Sequence, residues 1–290
     1  MLPGMAAKPR IAIVGAGNLG TALAVSLHDA GFVIEAVVAR DRAESLRKAR
    51  RLAKRVSAGA LADPARADAD LFWFCVPDSE IARAAAGFLP KHSWKRKIAL
   101  HSSGALTSDE LDSLRKVGAS VASVHPLMTF VRGSRPLLAG VPFAIEGDAA
   151  AVRVGRGIVR GLDGKPFLIR KQDKAAYHAW GTFASPLLTA LLATTEHVAR
   201  LAGVDRRDAV RRMMPILQQT LANYAEYGGP NAFSGPIIRG DVDTVRRHLR
   251  VLRGLPAARD VYAALARSAL QFLPSKNKKA LKRMLDSAKD

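Results

Sequence analysis

Residues 11–20, IAIVGAGNLG, leave the chain few ways to fold. A short β-branched run meets Gly15, Gly17 and Gly20, and an apolar helical pattern then continues to Gly31. The chain therefore passes from strand to helix through a turn built for close approach. Gly15 permits the tight turn, Gly17 keeps the backbone open to an incoming group, and Gly20 lets the helix pack on the strand. The first N–H groups of that helix, around Asn18 and Leu19, have no intrahelical partner and face outward, which suits a phosphate.

The next 150 or so residues repeat the design. VIEAVVAR is a second strand, a long basic helix runs through Arg55, and DLFWFCVPD is a third strand, apolar on both faces as a buried parallel strand must be. KIALHSSGAL and GASVASVHPL add two more, separated by a helix for which Thr107 and Glu110 are expected to form a capping box. PFAIEG and KPFLIR flank a further helix. Alternating strands and helices of this length predict an α/β fold with a doubly wound, Rossmann-type parallel sheet. After about Arg170 the strands cease, and four helical segments come next with Asp or Pro at their starts and Gly or Pro at their ends. We therefore expect a dinucleotide-binding domain over residues 1–170 and an all-helical domain over 171–290, with Pro186 breaking its first helix.

Composition excludes more than it assigns. The single cysteine, Cys75, lies in the apolar run LFWFCV and reads as a core residue in a reducing compartment. The N-terminal stretch MLPGMAAKPR has no apolar leader core, and no segment approaches 18 wholly apolar residues, so a cytoplasmic protein that does not span a membrane is expected. The net charge of +20 is spread over several helical segments with few aromatics between them. That pattern favours solvated helix faces over a nucleic-acid partner.

The strand ends carry the chemistry. About 20 residues beyond a glycine turn of this kind, a carboxylate usually meets the ribose 2′-hydroxyl, whereas an arginine accommodates a 2′-phosphate. Arg40 occupies that place and Arg42 is two residues on, so NADP is the expected cofactor; an exposed turn, with Asp41 capping the next helix, is the alternative. Ligands of open α/β sheets lie beyond the carboxyl ends of the strands, which puts Val76 and Pro77 beside the cofactor, with Asp78 or Ser79 free to cap a helix. His101, Ser102, Ser103 and His125 fall on the same edge, where the nicotinamide is expected. The ordinary pKa of His125 suits a proton donor; hydrogen bonding to neighbouring backbone is the alternative. Lys174, His178, Gly181 and Ser185 share one helical face, either functional or solvent-facing. Asp241 reads as a helix cap, while Arg239 has no evident structural duty and is a candidate for an anionic substrate group.

On GAGNLG, VPD, HSSGAL, SVHPLMTF, KAAYHAW and GPIIRGD, in that order, the chain resembles a family of uncharacterised NADP-dependent oxidoreductases with a Rossmann-like domain and a C-terminal helical domain of unknown function. That family is similar to a distant branch of the superfamily of 6-phosphogluconate dehydrogenase, β-hydroxyacid dehydrogenases and pyrroline-5-carboxylate reductase. In the β-hydroxyacid branch a catalytic lysine is followed one helical turn later by an asparagine. Lys174 and His178 hold comparable positions here, so the asparagine is absent; Pro186 stands where the family often has another asparagine. The expected reaction is hydride transfer between NADP(H) and a carbonyl or imine carbon of a small molecule, with a non-catalytic NADP-binding sensor as the alternative. We expect His125 as the acid or base, with Lys174 and His178 polarising the substrate; the resemblance implies a homodimer through the helical domain.

Overall fold

The computed structural model describes residues 8–89, 93–134 and 137–287; most of MLPGMAAKPR, the stretch without a leader core, lies outside them. The chain divides into two compact units, Met1–Phe183 and Ala184–Asp290. The boundary falls later than residue 170 because the helix expected to open the helical domain packs on the sheet.

In the first unit, β1 (Ile11–Val14), β2 (Ile34–Val38), β3 (Gly59–Leu61), β4 (Leu71–Phe74), β5 (Ile98–His101), β6 (Ser120–Pro126), β7 (Pro142–Gly147) and β8 (Lys165–Leu168) form one sheet in the order β3-β2-β1-β4-β5-β6-β7-β8. The order reverses between β1 and β4, as expected of a doubly wound sheet. Successive residues of β1 and β4 face opposite layers. Ile11, Ile13, Leu71 and Trp73 pack with α1 (Asn18–Asp29), α2 (Ala43–Arg55) and α5 (Ala149–Gly161). Ala12, Val14, Phe72 and Phe74 pack with α3 (Ile81–Ala86) and α4 (Asp112–Arg115). Strands covered on both faces must be apolar throughout, and all four residues of β1 and of β4 are buried.

Three local expectations change. The sheet is not wholly parallel: β7 runs antiparallel to β6, with Ser123 opposite Glu146 and Val124 opposite Ile145. Among the described residues the β6–β7 connection carries no helix, and a reversed strand is what such a connection allows. β3 is a three-residue edge strand too short to leave a pattern. Thr107 accepts from the Asp109 amide rather than from that of Glu110, because Ser108–Leu111 is a tight 3-10 turn and no capping box forms.

Last in the first unit comes α6 (Lys174–Thr182). A π-helical turn, Phe183–Leu187, then encloses Pro186 as the expected break. The second unit comprises α7 (Leu188–Leu201), α8 (Arg206–Ala232), α9 (Pro236–Arg239), α10 (Val242–Val251), α11 (Pro256–Phe272) and α12 (Lys278–Ser287). Its core gathers Val245, Leu249, Ala263, Ala266, Leu281 and Leu285. Asp241 caps α10, accepting from the Thr244 amide at 3.0 Å. No residue of α7 is buried, and Ala209 alone is buried in α8, although Ile216, Leu221, Tyr224 and Tyr227 of that helix are large and apolar. No helix among the described residues is long and apolar enough to cross a membrane.

Candidate active site

The glycine turn lies at the β1/β4 reversal. Gly15 has φ +107°, and a Cβ there would stand 2.6 Å from the Cys75 carbonyl oxygen and 3.1 Å from Val76 Cγ1. A Cβ on Gly20 would stand 2.1 Å from the Gly15 carbonyl oxygen, so helix and turn touch backbone to backbone. Gly17 differs from both: nothing lies within 4 Å of its Cβ position. It begins α1, and no side chain caps that helix end. The Asn18 side chain is turned instead onto the Phe130 carbonyl oxygen, to which its Nδ2 donates at 3.1 Å. Unpaired first-turn N–H groups, the open Gly17 and the adjacent half-buried Leu19 and Val76, with Pro77 next in the chain, make a cradle that fits a dinucleotide's pyrophosphate.

Arg40 and Arg42 are exposed just beyond β2. Their backbones form a close turn, the Arg42 amide donating to the Arg40 carbonyl oxygen at 2.7 Å. Arg42, not Asp41, is the N-cap residue of α2, and no side chain makes the cap. A cavity of about 560 Å³ opens here, lined by Asp41, Ala43, Leu46, Arg47 and Arg50. Arg47 and Arg50 thus add two cations that the strand-tip argument did not find.

Farther along the same sheet edge is a polar cluster. His101, Ser123 and Glu146 are register partners on β5, β6 and β7 and share one face of the sheet. Lys174 reaches in from α6, with only 1% of its surface exposed. Its Nζ donates to the Ser103 carbonyl oxygen at 2.9 Å and to the Ser123 hydroxyl. The helical face expected to be polar is therefore not solvent-facing at Lys174. Burial lowers the Lys174 pKa to about 8, against an opposing pull from Glu146 and Asp78. Gly181, on the same helix, admits Leu127, whose Cδ1 lies 3.1 Å from its Cβ position. Ser185 falls in the second unit.

His125 stands at the end of β6 with Nδ1 2.9 Å from the Tyr177 hydroxyl. Its ring meets that of His178 edge-on at 6.1 Å, and His178 itself is exposed. Gly104 makes room for both: a Cβ there would lie 2.6 Å from His178 Cδ2 and 2.8 Å from His125 Nε2. Burial, then the charge of Lys174, pushes His125 down to about 3. The expectation of a histidine poised near neutrality fails, since a ring shut away from water and beside a cation does not take up a proton.

Other expected site residues serve the scaffold. Ser102 accepts from Trp73 Nε1 at 2.8 Å and donates to the Val124 carbonyl oxygen at 3.1 Å, so its hydroxyl is tied into the core and not offered to a cofactor. The Ser103 hydroxyl donates to Asp78 at 2.8 Å and accepts from the Leu106 amide at 2.9 Å; its contribution to the cluster is its carbonyl group. His101 is fully engaged as well. It accepts from the Ser103 amide at Nδ1 and donates from Nε2 to the Thr107 carbonyl oxygen, while burial lowers its pKa to about 4. Arg239 is exposed in the second unit at the end of α9. Its charge helps to hold the Asp241 carboxyl below the usual range, after the Thr244 hydroxyl and amide. Tyr177, Gly104, Ser123 and Glu146 were missed. Tyr177 lies three residues after Lys174, and Glu146 is the one charge in PFAIEG; both signals were present.

Residues 5–126 match the model of a Rossmann-like domain, and residues 141–269 match that of a domain of unknown function, DUF2520. The chain couples a Rossmann-like domain to a DUF2520 domain. It is similar to a candidate NADP oxidoreductase from Bacteroides fragilis, at 25% identity and a TM-score of 0.76 over 90% of this chain and 97% of that one. A reductive aminase from Aspergillus terreus, in complex with NADPH and ethyl-5-oxohexanoate, is 16% identical with a TM-score of 0.65 over 96% and 99% of the two chains. A pyrroline-5-carboxylate reductase from Coxiella burnetii is 14% identical with a TM-score of 0.57 over 98% of each. At these last identities the shared property is the fold, which this chain has in common with NADP-dependent reductases. No curated protein matches the chain.

The openness at Gly17 separates binding from folding. Gly17→Ala is expected to keep the thermal midpoint of the wild type, because its Cβ meets nothing, yet to weaken binding of a nicotinamide dinucleotide about tenfold. Gly20→Ala, whose Cβ collides with backbone, should instead lower the midpoint; calorimetry and fluorescence titration distinguish the two. Unchanged binding in Gly17→Ala would place the dinucleotide elsewhere.

Proposed function

We propose that this protein is an NADP(H)-dependent oxidoreductase that moves a hydride to or from a carbonyl or imine carbon of a small molecule. One observation carries the reading: a buried ammonium, Lys174, and a tyrosine-bonded imidazole, His125, stand on the same sheet edge as an open, uncapped glycine turn. In this reading the turn and the N-terminus of α1 hold the pyrophosphate, and Arg40 and Arg42 grip a 2′-phosphate that a carboxylate would repel. When bound, the nicotinamide supplies or accepts the hydride. Lys174 supplies the proton, since a group with a pKa of about 8 is charged at neutrality and still able to release. His125 stays neutral. In this reading the Tyr177 hydroxyl, 2.9 Å from Nδ1, donates to it, so that the ring proton sits on Nε2 and offers a hydrogen bond to the substrate's oxygen or nitrogen, beside His178.

Cofactor titration tests the first half. NADPH should quench or shift its fluorescence on binding the wild type more tightly than NADH, and Arg40→Ala should bring NADPH down toward the NADH level, a loss of about tenfold or more. Absence of binding by either dinucleotide would remove the enzymatic reading.

The pH profile tests the second half. For reduction, kcat/KM is expected to be flat below neutrality and to fall as pH rises through about 8, where Lys174 loses its proton. In the oxidative direction the limb should be inverted. Lys174→Ala should cost about a hundredfold or more. A profile flat across that range would exclude Lys174 as the acid.

We further propose that the second unit pairs with a second copy of the chain. Support comes from α7 and α8, which carry Leu201, Ile216, Leu221, Tyr224 and Tyr227 exposed, with Ala209 the one buried residue between them. Sedimentation should give a dimer that Ile216→Glu with Leu221→Glu converts to a folded monomer; a monomeric wild type at micromolar concentration would refute the pairing.

A further inference from the structure

Proton donation by Lys174 leaves one buried acid without a role. Glu146 is 5% exposed near the end of an otherwise apolar strand, and its two oxygens accept from the Ser108 amide at 2.7 Å and the Ser108 hydroxyl at 2.9 Å. A carboxylate held this firmly in the interior needs a compensating charge. We infer that Glu146 is the positioning residue for Lys174, holding its ammonium charged and directed at Ser123, the residue opposite Glu146 on β6; the inference rests on the reading of Lys174 as the proton donor.

Register supplies the geometry. His101, Ser123 and Glu146 stand in a row across three neighbouring strands, and Lys174 lands on the middle member of that row. The Ser123 hydroxyl donates its own proton to the Ser103 carbonyl oxygen at 3.1 Å, so its lone pairs face the ammonium. Both direct partners of Lys174 Nζ are thus neutral acceptors. An ammonium in a dry site with neutral acceptors alone sheds its proton readily, and the charge that opposes this must come from the next layer.

The groups around Lys174 can be taken element by element. β7 contributes Glu146, and the turn after β4 contributes Asp78 through the Ser103 hydroxyl. β5 contributes His101 and β6 contributes His125, both kept neutral by burial. On α6 itself are Tyr177, whose pKa burial raises, and the exposed His178. From α4, Arg115 reaches the Ser108 hydroxyl at 3.4 Å but is also paired with Asp109, Asp112 and Asp148. Two carboxylates therefore oppose the burial of Lys174. Asp78 is exposed, so water and salt screen it; Glu146 is enclosed, and its field reaches Lys174 with less loss.

The lysine can be read directly, without a substrate. Heteronuclear NMR of protein carrying labelled lysine, with Lys174→Arg to assign the signal, should show Lys174 titrating near pH 8 in the wild type. Glu146→Gln keeps an acceptor for the Ser108 amide and should lower that midpoint by about one unit, with Asp78→Asn shifting it less. The alkaline limb of kcat/KM should move by the same amount. Should Glu146→Gln fail to fold, Glu146→Asp, which withdraws the carboxylate by one methylene, is expected to move the midpoint in the same direction. An unmoved midpoint, or a larger shift in Asp78→Asn, would overturn the inference while leaving hydride transfer intact. A shifted midpoint in a protein without turnover would uphold the pairing and remove the catalytic reading.

Discussion

An ammonium group shut inside a protein must be held there, and the placement of Lys174 organises the end of this sheet. Lowering its pKa from 10.5 to about 8 costs the folded state about 3 kcal/mol at neutral pH. The sign is set by which state binds the proton more readily. The unfolded chain does, so the penalty is complete below pH 8 and disappears as pH rises past 10.5. Against a total stability of about 5 to 15 kcal/mol this is a large local cost. The Ser103 carbonyl is fixed because its hydroxyl bridges Asp78 and the Leu106 amide, and because its own amide is bound by His101. None of these groups is left free to turn away from the lysine.

The reversal of β7 is the second element of the arrangement. An antiparallel pairing with β6 sets Glu146 opposite Ser123, and the segment that follows β6 passes close enough to the glycine turn for Asn18 to bind the Phe130 carbonyl oxygen. The segment after the His125 strand is in this way tied to the first turn of α1. Cofactor cradle and polar cluster belong to one unit of the fold, joined by sheet register and by this hydrogen bond.

Much of this was legible in the sequence, and the division between what was and what was not has a physical basis. The glycine turn, the alternation of strands and helices, the Asp241 cap and the break at Pro186 are set by residues within a few positions of one another. Local sterics and local hydrogen bonds decide them. The partners of Lys174 are another matter, since Ser103 and Ser123 lie 71 and 51 residues away along the chain. Helical spacing placed Lys174 and His178 on a common face but could not say that one is enclosed and the other exposed. Ser102 was misplaced for the same reason: a serine at a strand end looks available until Trp73 of the neighbouring strand is seen to donate to it. The domain boundary moved because α6 is helical by pattern yet packs on the sheet.

The histidine and the lysine show how far environment overrides residue type. By ordinary pKa, histidine is the side chain that titrates near neutrality and lysine a permanent cation. Burial disfavours the charged form of both, so it moves both downward. For His125, which starts close to neutral pH, the displacement to about 3 removes it from the physiological range altogether. For Lys174, which starts well above that range, a displacement of the same sign carries it to about 8 and into reach. A further asymmetry keeps the pair in this order. Once Lys174 is charged, its field makes protonation of His125 harder still, whereas a neutral His125 places no charge beside Lys174. One ammonium and one neutral, tyrosine-bonded imidazole is therefore the stable protonation state of the pair across neutral pH.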